Sequence, residues 1–275
     1  MLKRPLALQV YTVRDAAADN FAGTMKQIKE MGYDGVELAG LYGLEPDYIR
    51  EVLDNAGLKA ISAHVPYAQL TDDLQGTLQQ YKTIGCDYIA IPFLEDDKRP
   101  GTPGFEQVVS AIPQIGEACA GMGMTLLYHN HDFEFVRVDD GSFGLDYLYE
   151  KVSASLLQTE LDTCWIKVAG EAPVAYIEKY ADRCPVVHLK DFYRDDEADD
   201  EGQLYELIGQ DEKKEKQRSS FEFRPVGYGV QDIPSIVKAA QENGAKWLVV
   251  EQDLSVGRTP LEAAKLSIEY LRQLK

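Results

Sequence analysis

The chain contains four histidines, and each falls at or just past the end of a short apolar, strand-like run. His64 lies in Ile61-Ser-Ala-His-Val65, His129 and His131 follow Leu126-Leu-Tyr128, and His188 follows Val186-Val187. Two further runs end in acids: Asp162 in Thr159-Glu-Leu-Asp-Thr163 and Glu251 in Trp247-Leu-Val-Val-Glu251. Imidazoles and carboxylates together are the donors that a hard or borderline divalent cation selects. In a parallel β/α sheet ligands bind outside the carboxyl ends of the strands, so strand-end residues converge on one face. Asp162, His188 and Glu251 therefore point to one shared metal ion. A carboxylate such as Glu251, closing an apolar strand, is rarely buried without a partner.

The segment Tyr128-His-Asn-His-Asp-Phe-Glu-Phe135 is denser. In an extended strand His129 and His131 face the same side, and Glu134 follows within reach through the loop. One of these three is expected to be a further metal ligand and another a general acid/base; the residues alone leave the assignment open. Lys190, two residues after His188, suits a substrate hydroxyl or phosphate, with a rim lysine lying on apolar surface as the alternative. His64 and Glu37 also end strands and are expected to line the pocket. Cys164, two residues past Asp162, reads as a buried thiol and not as a nucleophile.

The elements that must position these groups repeat with one rhythm, a short apolar run followed by a longer amphipathic stretch. The runs are Leu6–Tyr11, Gly35–Leu38, Ala60–Val65, Tyr88–Phe93, Thr125–His129, Gln158–Asp162, Val186–Leu189 and Trp247–Glu251. Helices are expected over Asn20–Met31, Pro46–Ala56, Leu74–Ile84, Phe105–Met122, Leu145–Lys151, Val174–Tyr180, Ile233–Asn243 and Pro260–Leu274. Several stop at a glycine just before the next run, as in Asn55-Ala-Gly57 and Thr83-Ile-Gly85. Strict alternation implies a parallel sheet, and eight strands are the number that closes a barrel. An open doubly wound sheet announces itself by a glycine-rich phosphate loop after its first strand; here Val10-Tyr-Thr-Val-Arg-Asp15 follows instead. The expectation is a single (β/α)8 TIM barrel over residues 1–275. A long polar segment after the seventh strand, 193–225, interrupts it as a lid or insertion, with an acidic run Asp195–Glu201 and a mixed-charge run Glu212–Arg218.

Composition excludes some functions. The formal net charge of −18 and the lack of a Lys/Arg stripe oppose a nucleic-acid partner. No apolar run approaches membrane-spanning length. Cys86, Cys119, Cys164 and Cys184 show no Cys-x-x-Cys spacing, and the start Met1-Leu-Lys-Arg-Pro5 lacks a signal-peptide core, so a cytoplasmic protein with reduced thiols is expected.

The ordered motifs Gly32-Tyr-Asp-Gly-Val-Glu-Leu38, Tyr128–Phe135, Leu161-Asp-Thr-Cys-Trp165, Ala169-Gly-Glu-Ala-Pro173, His188-Leu-Lys-Asp191, Pro225-Val-Gly-Tyr-Gly229 and Val250-Glu-Gln-Asp253 span nearly the whole chain. Together they resemble the xylose isomerase-like TIM-barrel superfamily, in particular its sugar phosphate isomerase/epimerase branch. That resemblance implies one divalent ion, often manganese, held by two glutamates, an aspartate and a histidine. Asp162, His188 and Glu251 match three of these positions. The family's glutamate at the end of the fifth strand is missing, and Glu134 is the nearest carboxylate to replace it. The Tyr-His-x-His segment is similar to that of inosose dehydratases and 3-keto-glycoside lyases. The superfamily's abasic-site endonucleases are a poor match: they need more histidines, Trp165 stands where a further ligand histidine would, and the charge is wrong.

The expected activity is a sugar isomerase or epimerase that abstracts a proton next to a carbonyl through a metal-stabilised enediolate. The alternatives are a lyase or dehydratase eliminating a β-substituent from a keto-polyol or 3-keto-glycoside, and a non-catalytic sugar-binding barrel or partner subunit. The expected ligands are Glu134, Asp162, His188 and Glu251 for Mn2+, with Mg2+, Co2+ or Zn2+ as substitutes. Glu251, His131 and His129 are the acid/base candidates. His64, Glu37, Lys190 and Trp165 are the expected contacts to a small sugar or keto-polyol, and Arg258 in Ser255-Val-Gly-Arg258 is placed to meet a phosphate if one is present. A homo-oligomer is compatible with the chain.

Overall fold

Each apolar run becomes a strand in the computed structural model, which describes residues 3–194 and 221–274. The strands are β1 (Leu6–Gln9), β2 (Gly35–Ala39), β3 (Lys59–His64), β4 (Tyr88–Ile91), β5 (Thr125–His129), β6 (Gln158–Asp162), β7 (Val186–Leu189), β8 (Asp191–Arg194), β9 (Phe221–Arg224) and β10 (Trp247–Val250). Eight of them close a parallel barrel in the order β1-β2-β3-β4-β5-β6-β7-β10, sealed where Leu6, Ala7 and Leu8 pair with Leu248, Val249 and Val250. Strands covered on both faces carry no alternation of polar and apolar residues, which is why they read as continuous apolar runs.

The helices are α1 (Arg14–Asp19), α2 (Phe21–Met31), α3 (Pro46–Ala56), α4 (Tyr67–Asp72), α5 (Leu74–Ile84), α6 (Pro103–Gly121), α7 (Gly144–Lys151), α8 (Thr163–Val168), α9 (Pro173–Lys179), α10 (Ile233–Glu242) and α11 (Pro260–Gln273). The eight expected helices are all present, within two residues at either end. Gly57 and Gly85 end α3 and α5 at φ 72° and 100°, the left-handed conformation in which a side chain is strained. The short α1, α4 and α8 are additional to the eight expected helices. Among the described residues no helix is long and apolar enough to cross a membrane.

The barrel interior has two storeys. Ala7, Ile61, Ala90, Leu127, Val186 and Val249 pack into an apolar plug, with Trp247 and Tyr88 against it. Gly35 must stay small there, because a Cβ would stand 2.7 Å from the Lys59 carbonyl oxygen and 2.9 Å from Ile61. Two residues further along each strand the same inward face carries Gln9, Glu37, His129, His188 and Glu251. On β3 the pairing jumps from Val36–Ala60 to Glu37–Ser62, so Ile61 is an extra, bulged residue. The bulge lets Ile61 join the plug and still turns His64 inward.

The long connection after β7 begins and ends as an antiparallel hairpin, with Asp191 opposite Arg224 and Arg194 opposite Phe221. Its aromatic face, Phe192 and Phe223, packs on Cys164 and Trp165. The charged runs Asp195–Glu201 and Glu212–Arg218, and with them most of the expected lid, lie outside the described residues.

Candidate active site

At the carboxyl ends of the strands, four donor atoms from His129, Asp162, His188 and Glu251 lie within 4.8 Å of one another. They come from β5, β6, β7 and the residue after β10, and all four side chains are buried. Asp162 is held by its own local structure: its Oδ1 accepts from the amides of Cys164 (2.8 Å) and Trp165 (3.2 Å), capping α8. Its Oδ2 accepts no hydrogen bond and faces His129 Nε2 at 3.7 Å and the Lys190 ammonium at 3.2 Å. A buried carboxylate oxygen without a hydrogen bond, surrounded by two imidazoles and a second carboxylate, fits a divalent cation.

A second layer lies beneath. Glu37 Oε2 accepts from Gln9 Nε2 (2.9 Å) and His188 Nε2 (2.7 Å), and Glu160 Oε1 stands 2.7 Å from His64 Nε2, 3.2 Å from His129 Nδ1 and 3.2 Å from His188 Nε2. His64, His129, Glu160 and His188 thus form a second set of four donors within 4.8 Å, sharing two members with the first. On the opposite side Lys190, fully buried, is ringed by Asp162 at 3.2 Å, Glu251 at 3.0 Å and Asp253 at 3.1 Å.

These contacts sort the charges. Burial alone depresses an imidazolium, yet Glu37 and Glu160 hold His188 well above the ordinary histidine range and raise His64 as well. His131 is driven well below it by burial, by His129 and by Lys190, and burial lowers His129. Burial raises a carboxylate, but Lys190 and His188 hold Glu251 well below its usual range, and burial lifts Asp253 to about 6 against Lys190. The Lys190 ammonium stays charged because Asp162, Asp253 and Glu251 outweigh its desolvation.

A pocket of about 300 Å3 opens directly above, lined by Tyr11, His64, Phe93, His129, His131, Lys190, Glu251 and Asp253, among others. Its volume suits a small ligand. The structure therefore brings together His64, His129, His131, Asp162, His188, Lys190 and Glu251 as expected, and departs at four positions. Glu134 is in neither donor set: it is buried, accepting from the Tyr128 hydroxyl at 2.6 Å and the His131 amide at 2.7 Å, and His129 occupies the place beside Asp162. Glu37 lies under the histidines and not on the pocket wall. Trp165 is fully buried, with its ring 5.4 Å from His131 and 5.4 Å from the Lys190 ammonium, so it backs the site without lining it. Arg258 is not on the pocket wall. Glu160, Asp253 and Gln9 were not anticipated, although the two-residue period back from Asp162 places Glu160 on the same face. All four cysteines are buried, and Cys164 is held well above the thiol range by burial and Asp162.

A family model described as a xylose isomerase-like TIM barrel matches residues 25–274. The chain belongs to the xylose isomerase-like TIM-barrel family. Within that family it is 24% identical over 286 residues to an inosose dehydratase of Geobacillus kaustophilus, covering 91% of this chain and 86% of that one. Its fold matches a sugar phosphate isomerase/epimerase from Parabacteroides distasonis with a TM-score of 0.77, at 22% identity over 99% of this chain and all of the other. It also matches the probable 3-DHS dehydratase AsbF of Bacillus anthracis with a TM-score of 0.75, at 14% identity over 98% and 100% of the two chains. Family members with this barrel thus carry names from both isomerase and lyase chemistry, and the reaction must be argued from the site.

Proposed function

We propose that this chain is a divalent-metal-dependent dehydratase that removes water from a small, unphosphorylated cyclic keto-polyol. The observation that carries the reading is the cluster of His129, Asp162, His188 and Glu251 beneath a pocket whose walls bear two further histidines. These four residues would hold a divalent ion, Mn2+ before Mg2+, Co2+ or Zn2+, which when bound would supply Lewis acidity toward the substrate carbonyl.

The residues of the chain divide the proton transfers. His131, kept neutral by its surroundings, is the base that takes the proton next to the carbonyl. His64, kept protonated by Glu37 and Glu160, gives a proton to the departing hydroxyl. Glu251 is less suited to the base role, because its Oε2 is engaged by His188 Nδ1 at 3.0 Å and by Lys190 at 3.0 Å. The C–H and C–O bonds break, a C=C bond forms, and one water leaves. Because the carbon that loses the proton also bears a hydroxyl in a polyol, the product is an enol that tautomerises to a 1,2-diketone.

Epimerisation, the activity expected first, requires acid and base groups on opposite faces of one carbon, which the epimerases of the family supply with two opposed carboxylates. The turning of Glu134 away from the site removes one of them, and the dehydratase names among the relatives support elimination. Lys190 is the one Lys or Arg on the pocket wall among the described residues, and three carboxylates already neutralise it. That balance supports a neutral substrate over a phosphorylated one.

The deciding experiment is proton NMR of the Mn2+-loaded enzyme in deuterated water with inosose, ketoses and 3-keto-glucosides. Loss of water with a diketone trapped by o-phenylenediamine supports the proposal. Deuterium beside the carbonyl of an intact skeleton would return the epimerase reading, and release of an aglycone would indicate a glycoside lyase.

A further inference from the structure

We propose that Glu160 is a positioning residue of the metal centre, a buried carboxylate that orients His129 and, together with Glu37, His188, and so sets which nitrogen each histidine ligand turns toward the ion. The inference rests on the reading that an ion sits among His129, Asp162, His188 and Glu251. Glu160 lies two residues before Asp162 on β6, on the same inward face and one step deeper in the barrel. Its Oε1 is 3.2 Å from His129 Nδ1 and 3.2 Å from His188 Nε2, so it addresses different nitrogens of the two rings. His129 is thereby left with Nε2 facing Asp162, and His188, whose Nε2 also meets Glu37 at 2.7 Å, is left with Nδ1 facing Glu251 at 3.0 Å. A ring nitrogen that donates its proton to a carboxylate fixes the tautomer, and the other nitrogen keeps the lone pair a metal needs.

The deeper donor set offers a competing position, in which Glu160 would itself bind the ion together with His64, His129 and His188. The two positions cannot both be filled with a full complement, because each needs His129 and His188. Both Glu160 Oε2 and Asp162 Oδ2 are buried without a hydrogen bond, and the donor types favour the upper position, which offers a hard cation two carboxylates where the deeper one offers a single carboxylate. The upper position is also the one that joins Glu251, on the pocket wall, to a second carboxylate.

Four histidines make the assignment readable in the intact protein. Long-range proton–nitrogen NMR of the Zn2+-loaded wild-type enzyme is expected to show His129 protonated at Nδ1 and metal-bound at Nε2, and His188 protonated at Nε2 and metal-bound at Nδ1. The reverse pattern places the ion in the deeper set and overturns the proposal. Glu160→Gln removes the negative charge that both ring N–H groups face, so the affinity for Zn2+, measured against a chelator, is expected to fall ~10–100-fold. The visible spectrum of the Co2+ form is expected to shift with it. Unchanged affinity and an unchanged Co2+ spectrum in a folded Glu160→Gln protein overturn the proposal while leaving the metal reading intact. Failure of the wild-type enzyme to bind Zn2+, Co2+ or Mn2+ removes the metal reading itself. Should Glu160→Gln not fold, the wild-type NMR pattern decides alone.

Discussion

The run from His129 to Glu134 divides its work residue by residue: His129 joins the donor cluster, His131 faces the pocket, and Glu134 ties down the backbone between them. Burial pushes the Glu134 carboxyl up to about 8, against an ordinary value of 4.5. The folded chain therefore keeps this proton across a window in which the unfolded chain releases it. Folding binds the extra proton there, so this group's contribution to stability falls as the pH rises from about 4.5 through 8. Glu134→Gln, with its amide oxygen toward the His131 N–H and its NH2 toward the Tyr128 oxygen, mimics the protonated form. It is expected to flatten the fall in stability between pH 6 and 8.5, measured as urea midpoints across that range; an unchanged slope would assign the dependence elsewhere. His131 and Glu251 separate binding from proton transfer. His131→Gln is expected to lower kcat ~10²–10⁴-fold with metal affinity intact, whereas Glu251→Gln is expected to weaken metal retention and turnover together. Equal loss of metal in both variants would contradict the separate roles.

At the scale of elements, the barrel was readable because strands, helices and glycine stops each carry a local signal repeated at every turn of the chain. The short helices α1, α4 and α8 were not readable, since six residues hold too little periodicity to register. Glu160 escaped notice for a related reason: attention to strand ends passes over an acid one pleat below the end. The segment Pro225–Gly229 stood out as a motif, and the structure supplies its purpose. Asp191 accepts from four amides, those of Phe192 (2.9 Å), Gly227 (3.0 Å), Gly229 (3.0 Å) and Gln231 (3.1 Å), and Gln231 Nε2 donates to the Lys190 carbonyl at 3.2 Å. The loop is thereby pinned beside the lysine that faces the pocket. Gly229 has no room for a side chain, since a Cβ would lie 2.2 Å from Asp191 Oδ1 and 2.3 Å from the Phe192 carbonyl oxygen. Gly229→Ala is expected to destabilise the fold by ~2–4 kcal/mol through lost hydrogen bonds and strain. It should also lower turnover by displacing Lys190. Chemical denaturation alongside kinetics checks both, and a stable variant with full activity would show that the loop does not hold the site.

Across the whole molecule, the barrel confines many acids at one end, and its overall charge of −18 adds to their mutual repulsion. Lys190 offsets the part that falls inside, where three carboxylates surround one ammonium. Removing that ammonium by Lys190→Met leaves Asp162, Glu251 and Asp253 facing one another with only His188 beside Glu251 to offset them, a change that costs about 3–5 kcal/mol in a buried pair. The same carboxylates Asp162 and Glu251 are the oxygen donors proposed for the metal, so the vacated charge is one that a divalent ion can replace. Ligand binding to the folded state alone stabilises it by ~4 kcal/mol at a thousandfold excess over Kd. The melting temperature of Lys190→Met is therefore expected to drop on the order of 10 °C below wild type in chelator and to recover most of that difference in saturating Mn2+. Affinity for the ion should rise in this variant, because an ammonium no longer competes for the two carboxylates, while turnover falls with the loss of a pocket-facing donor. A deficit of the same size with and without Mn2+ would mean that ion and ammonium do not share Asp162 and Glu251, and the metal would then have to be sought in the deeper layer around Glu160.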